Sequence, residues 1–317
     1  MDKYRCLSYV KDMHFRRILL LAALLAGCVL AGGGAAQGAD EVWQPLIERL
    51  CGEKMSCEKV KEYFSDEDLK FDPSIMAGKV DRMVRKQFEP QPAPTKRTLE
   101  ESNYGYYLKP SVIAGAADFA RANKDILAKT EAAYGVPQDI IVALLLVETK
   151  LGSYLGKDGA FQVLASMAAS NSLSTIQPFL KDVGDDPLRA AFADASAKDR
   201  AEWAYQELKA LIRYAEKGNR DPMDIPGSIY GAIGLCQFMP SNALRYGVAG
   251  DGGQAVDLFA PGDAIPSIAN YLVRHGWKPG LDYDRQRAVI YAYNHSDLYS
   301  LAVMTVAGKL KEYRLAH

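Results

Sequence analysis

Residues 140–147 are eight apolar side chains in a row, and the residue that follows them is Glu148. A helix that is apolar all round must be buried on every side, so this run fixes the centre of whatever core the chain builds. Ahead of it, Gly135-Val136-Pro137-Gln138-Asp139 predicts a helix start, with Pro137 near the first helical position and Asp139 toward the positive end of the dipole. Gly152 predicts the stop. Glu148 then falls in the last turn of a largely buried helix, with Leu144 and Leu145 one turn back and Leu151 one turn ahead. A carboxyl group among such neighbours is desolvated, which favours its protonated form and suits a general acid. The competing reading of this segment alone is a helix-terminal Glu that points into water.

A second segment, Gly227-Ser228-Ile229-Tyr230-Gly231-Ala232-Ile233-Gly234-Leu235-Cys236-Gln237-Phe238-Met239-Pro240-Ser241, brings small residues into a Gln and then into a Pro that opens a new element. Gly231 and Gly234 allow close approach to a neighbouring chain or ligand. Gln237 offers a donor and an acceptor, the pair needed to meet the amide and hydroxyl groups of an N-acetylated sugar. A glycine-rich packing contact without a ligand is the alternative.

Net charge is −1 over 317 residues, so nothing in the composition points to nucleic acid or an acidic polymer as partner. Four His and no His/Cys/Asp cluster at ligand spacing argue against a zinc hydrolase, and no metal or cofactor is expected. Residues 1–39 read as an export leader: Lys11, Arg16 and Arg17 precede an apolar stretch over 18–30 that is short for a membrane span. Within it, Leu25-Ala26-Gly27-Cys28 fits a bacterial lipidation site at Cys28, while small residues around Ala36 and Ala39 offer ordinary cleavage. Either route places the protein in the envelope, in the periplasm or held at the outer membrane by a lipid anchor, its only expected tie to a membrane. Cys51 and Cys57 flank a short loop and could pair in an oxidising compartment, or be two free thiols on one helix; Cys236 reads as a small packing residue.

Along the chain, 40–95 reads as a helical N-terminal segment ending in a Pro-rich connector, and 96–317 as the domain that carries Glu148 and the candidate catalytic chemistry. Pro45 is placed in a first helical turn, with Trp43, Leu46, Ile47 and Leu50 as one apolar stripe and Val60, Tyr63 and Phe64 as another. Tyr104, Tyr106 and Tyr107 crowd a short stretch, Pro110 opens a helix running toward Tyr134, and 196–217, 264–275 and 287–298 read as further helices. Strand signals are few: the fold class is mainly α, with a small β-hairpin expected near 152–162.

With these blocks together, the chain resembles the B-type membrane-bound lytic murein transglycosylases. The first block is Tyr134-Gly135-Val136-Pro137 leading to Val147-Glu148-Thr149, Gly152 and Gly156-Lys157. Gly227-Ser228 with Gly231-Ala232-Ile233-Gly234 follows, then Gln237-Phe238-Met239-Pro240-Ser241. Asp263-Ala264-Ile265, Ser267-Ile268-Ala269-Asn270-Tyr271 and His275-Gly276-Trp277 come next, and Tyr293-Asn294-His295-Ser296 with Tyr299 closes the series.

The resemblance implies a lysozyme-like α+β core with helical additions, acting on peptidoglycan glycan strands. It implies that Glu148 alone serves as acid and then base, cutting between N-acetylmuramic acid and N-acetylglucosamine to leave a 1,6-anhydro ring. Ser228 and Gln237 would lie beside Glu148. Tyr293, Asn294 and Tyr299 match the late motif, the Tyr rings suiting sugar faces and Asn294 the N-acetyl group, with core packing as the alternative for both Tyr. Two stretches depart from the family. Residues 250–261 lie where some members bind calcium but lack alternating acidic ligands, with Ala260 where an acid is expected. Phe161-Gln162-Val163 replaces a more typical acidic pair. The rival readings are a muramidase of the same fold, for which no water-activating carboxylate is evident, and a non-catalytic peptidoglycan-binding envelope protein.

Overall fold

The computed structural model describes residues 39–53, 55–90 and 98–317; the leader with Cys28 and the connector after Pro90 lie outside the described residues. The regular structure of the described residues is thirteen α-helices, three short 3-10 helices and one two-stranded sheet. The helices are α1 (Ala39–Cys51), α2 (Cys57–Phe64), α3 (Ser74–Phe88), α4 (Pro110–Ala122), α5 (Lys124–Tyr134), α6 (Gln138–Thr149) and α7 (Ala160–Ala169). They continue with α8 (Leu173–Ile176), α9 (Pro187–Lys217), α10 (Pro240–Tyr246), α11 (Pro261–Arg274), α12 (Tyr283–Tyr293) and α13 (Asp297–Ala316). The strands are β1 (Asp158–Gly159) and β2 (Pro226–Gly227).

The apolar octet is the body of α6. Every side chain from 140 to 147 is buried, and α4, α5, α11 and α13 pack around it. Burial of that order stabilises by about 1.5–3 kcal/mol per large aliphatic side chain, which is why this helix needs no polar face. Pro137 is the residue just before the helix, and Asp139 in its first turn accepts from Arg314 Nη1 at 2.7 Å.

The N-terminal helices join the same body. Residues 39–317 form one compact unit. The cause is aromatic: Trp43 meets Phe64 at 5.4 Å between ring centroids, and Phe64 meets Phe161 of α7 at 5.2 Å. Helix α3 lies against α9, and Lys209 Nζ of α9 pairs with Glu53 at 2.8 Å. Cys51, ending α1, and Cys57, opening α2, form a disulfide across the intervening turn, so neither is the free thiol of the alternative reading.

Several boundaries differ from expectation. Helix α1 begins early enough that Pro45 sits inside it rather than in its first turn. The helix expected from Pro110 toward Tyr134 breaks at Asn123, whose Nδ2 donates to Phe119 O at 2.9 Å and ends α4. The small sheet is antiparallel but not a local hairpin: β1 pairs Asp158 with Gly227 and Gly159 with Pro226. Helix 287–298 is two helices, because Ser296 accepts from Tyr299 N at 3.2 Å and so caps a new one, α13, which the sequence reading missed.

Candidate active site

Glu148 is the penultimate residue of α6 and is half-buried. The helix stops sooner than Gly152 suggested. Lys150, Leu151 and Gly152 take φ of 51°, 61° and 91°, so Leu151 lies past the helix rather than one turn ahead of Glu148 within it. Two non-glycine residues in the left-handed region cost on the order of 1 kcal/mol each, and such strain persists only where surroundings impose it. Here the surroundings are hydrogen bonds. Lys150 N and Leu151 N donate to Leu146 O and Leu145 O, Gly152 N donates to Thr149 Oγ1 at 3.1 Å, and Tyr154 N donates to Thr149 O at 2.9 Å. Buried Thr149 in turn donates to Leu235 O at 3.2 Å, tying the end of α6 to the glycine-rich segment.

That segment folds into a stack of short turns. Isolated bridges pair Gly227 with Ile233 and Ile233 with Phe238, which brings the stretches carrying Ser228 and Gln237 side by side. Gly234 has φ +70°, and a Cβ there would stand 2.6 Å from Leu258 Cβ. Gly156 is tighter still: with φ +100°, an added Cβ would fall 1.9 Å from Gly227 O. The close approaches expected of this region are therefore real, and they press the chain after Glu148 onto Ser228.

Tyr299 Oη donates to Glu148 Oε1 at 2.5 Å. A hydrogen bond to a carboxylate is worth roughly 1.5–3 kcal/mol, enough to fix the rotamer of the acid. Tyr107 Oη donates to Val147 O at 3.2 Å, and Tyr104 sets its ring edge-on to Tyr299 at 6.3 Å. Beneath them Tyr293 Oη donates to Cys236 O at 2.5 Å. Burial first, and the charge of Glu148 second, raise the phenols of Tyr104, Tyr107 and Tyr299 and the thiol of Cys236. Tyr293 is pushed up by burial, then by Cys236 and Glu148. The result is a half-buried carboxyl group beside phenols that stay protonated, of which Tyr299 donates to it.

The structure brings together Glu148, Tyr299, Tyr293 and the Gln237 loop. Gln237, at φ +48°, donates from Nε2 to Gly234 O at 3.0 Å and to Leu155 O at 3.4 Å, so its donors hold the loop. Ser228 Oγ accepts from Ala232 N at 3.1 Å and Tyr230 N at 3.3 Å; its first task is the turn, and its own proton is what it can offer. Asn294 follows α12 and is exposed. The sugar-face role expected of the two late tyrosines needs correcting. Tyr293 is 6 % exposed and Tyr299 2 %, so their rings are packed into the core and cannot receive a sugar face; only their hydroxyls reach polar groups. Tyr104 and Tyr107 were missed as neighbours of the acid, although their crowding with Tyr106 was visible.

In the 250–261 stretch the carboxylates turn onto their own chain. Asp251 accepts from Gly253 N at 2.7 Å and Asp257 from Phe259 N at 2.9 Å, while the other Asp257 oxygen pairs with Arg220. Asp263 accepts from Gly250 N at 2.9 Å and Asp257 N at 2.6 Å.

Comparison with known proteins adds the kinship. Membrane-bound lytic murein transglycosylase B of Escherichia coli (strain K12) is 30% identical over 174 residues, which cover 55% of this chain and 41% of that protein. The match thus spans less than half the length of the curated relative. The crystal structure of soluble lytic transglycosylase SltB1 from Pseudomonas aeruginosa superposes with a TM-score of 0.64 at 24% identity, covering 86% of this chain and 99% of that one. SltB3 from Pseudomonas aeruginosa, in complex with NAG-anhNAM-pentapeptide, gives 0.65 at 20% identity over 87% of this chain and 80% of that one. These two establish the fold. The transglycosylase SLT domain matches residues 39–288, most of the chain, and the protein belongs to that family.

Proposed function

We propose that the protein is a peptidoglycan lytic transglycosylase that cleaves the β-1,4 bond between N-acetylmuramic acid and N-acetylglucosamine. The observation that carries the reading is the Glu148 carboxyl, held by Tyr299 at the end of a buried helix beside the Gln237 loop. The curated relative's name, and the NAG-anhNAM-pentapeptide in complex with SltB3, support the substrate class.

Glu148 gives its proton to the glycosidic oxygen, and the N-acetylglucosamine side leaves as the free 4-hydroxyl. The neighbouring N-acetyl group stabilises the cationic centre. The carboxylate then removes the proton from the muramoyl C6 hydroxyl, whose oxygen bonds to C1 and closes the 1,6-anhydro ring. No water is consumed. An intramolecular hydroxyl held in line reacts as if at very high concentration, which favours it over solvent. The residue must serve first as acid and then as carboxylate.

The same reading puts the protein in the envelope, where its substrate lies and where the Cys51–Cys57 disulfide persists. Lipidation at Cys28 is tested by Cys28→Ala, which should release the protein from membranes; a wild type already soluble in the periplasm favours ordinary cleavage.

Digestion of purified sacculi with mass analysis of the products tests the chemistry. Fragments one water lighter than hydrolytic products, with no reducing end, are expected. Reducing-end muramic acid would make it a muramidase, and binding without soluble product a non-catalytic protein. Glu148→Gln should lower the rate on the order of 10²–10⁴-fold or more, with folding retained.

A further inference from the structure

The turn that begins at Ser228 carries Tyr230, and two cations from the N-terminal helices stand over that ring. Lys79 Nζ lies 4.3 Å from the ring centroid and Arg82 Cζ lies 5.2 Å from it. They are three residues apart on α3 and so share a face. Neither forms an ion pair among the described residues. Arg200 of α9, which pairs with Asp199 at 2.7 Å, is close enough to repel Lys79. Burial first, then Arg200 and Arg82, lower the Lys79 ammonium.

Two further atoms make the imbalance plain. Tyr230 Oη and Arg200 Nε are buried without a hydrogen-bond partner. A hydroxyl and a guanidinium N–H in that condition want an acceptor, because a buried donor left unpaired loses the hydrogen bonds it made to water. Lys79 and Arg82 lie beside Arg200, which Asp199 already pairs, and two donors remain unmet, so the deficit is one of acceptors. An anion supplies them.

We propose that Lys79 and Arg82, seated on Tyr230 and backed by Arg200, form a carboxylate subsite that takes the peptide stem of the glycan strand. This rests on the proposed function, because the stem hangs from the lactyl group of the muramoyl residue whose bond would be cut. Its acidic residues and its C-terminus carry the carboxylates that the subsite recognises. Ser228, two residues before Tyr230, would meet the sugar while the cations meet the stem. The N-terminal helices thereby contribute substrate recognition as well as packing.

Calorimetric titration of the full chain with two soluble probes tests it: N-acetylglucosaminyl-N-acetylmuramoyl-tetrapeptide, and the same disaccharide without peptide. Wild type should bind the stemmed probe more tightly, and raised salt should narrow the gap. Lys79→Gln with Arg82→Gln should cut that preference about tenfold, as expected for losing charge-assisted bonds, while Lys79→Arg with Arg82→Lys keeps most of it. Melting curves establish that each variant is folded. Equal binding of the two probes by wild type, or an unchanged preference in the double Gln variant, overturns the subsite. Binding of neither probe removes the proposed function along with it.

Discussion

Tyr299 in the first turn of α13 and Glu148 at the end of α6 are joined by a 2.5 Å hydrogen bond across 151 residues of chain. The two helices pack against each other, so the contact is built by the core rather than by a loop. Tyr299 is 2 % exposed and Glu148 only half-buried: the phenol is fixed from behind, and the carboxyl retains an approach for substrate. On the proposed function, a residue matched to a sugar-binding motif becomes a positioning residue for the Glu148 carboxyl.

Tyr299→Phe removes that hydroxyl and little else. The rate on sacculi should fall about 10- to 100-fold through the turnover number with the Michaelis constant nearly unchanged, because a misplaced acid hurts the transition state more than ground-state binding. A variant that instead loses substrate affinity and keeps its turnover number would return Tyr299 to the role of a sugar contact.

Lys150 is exposed and sits at φ 51° where α6 ends, a position at which glycine is at home. Lys150→Gly should stabilise the fold by about 0.5–1 kcal/mol, the strain relieved being partly offset by the greater freedom of the unfolded chain. Denaturant titration should therefore give a higher midpoint at an unchanged slope. A lower midpoint would mean that the strained turn is not set against the fold as described.

Gly156 has the opposite character. At φ +100°, with Gly227 O 1.9 Å from where a Cβ would stand, Gly156→Ala must push apart the segments that carry Glu148 and Ser228. A loss of about 3 kcal/mol or more is expected, against at most 1 for a surface glycine. Comparing its unfolding midpoint with that of Gly184→Ala, also at positive φ but with nothing within 4 Å, separates the clash from backbone strain alone.

Much of this was legible before any coordinates. The unbroken apolar run could only be a central helix, so a carboxyl at its end had to lie at the edge of the core. The glycines of the 227–241 segment declared close approach because little else explains so many. What was hidden is long-range. No local pattern distinguishes a Tyr that packs from one that binds, so the burial of Tyr293 and Tyr299 depended on how α12 and α13 fold over α6. The partner of β1 lies 69 residues away, where Asp158 meets Gly227, and a hairpin reading looks only nearby. The cap at Ser296 sat inside a continuous helical pattern. Lys79 and Arg82 look in sequence like any charged helix face; only the approach of Tyr230 gives them a site.

Alkali should unfold the protein by a route written in its tyrosines. Burial raises Tyr214 and Tyr205 to about 12, and it raises Tyr299 and Tyr293 well above the ordinary phenol value of 10. A group whose pKa is raised by folding stabilises the folded state below its unfolded value. That contribution is lost as pH climbs from the unfolded toward the folded value, because the unfolded chain releases its protons first. Stability should hold to about pH 10 and fall steeply between there and about 12, with several phenols contributing to the slope. Tyrosinate absorbance measured alongside circular dichroism distinguishes the routes. Phenol ionisation and loss of helix should coincide in one cooperative step; if these tyrosines titrate near 10 while the helices persist, the phenols around Glu148 are not enclosed as the packing requires.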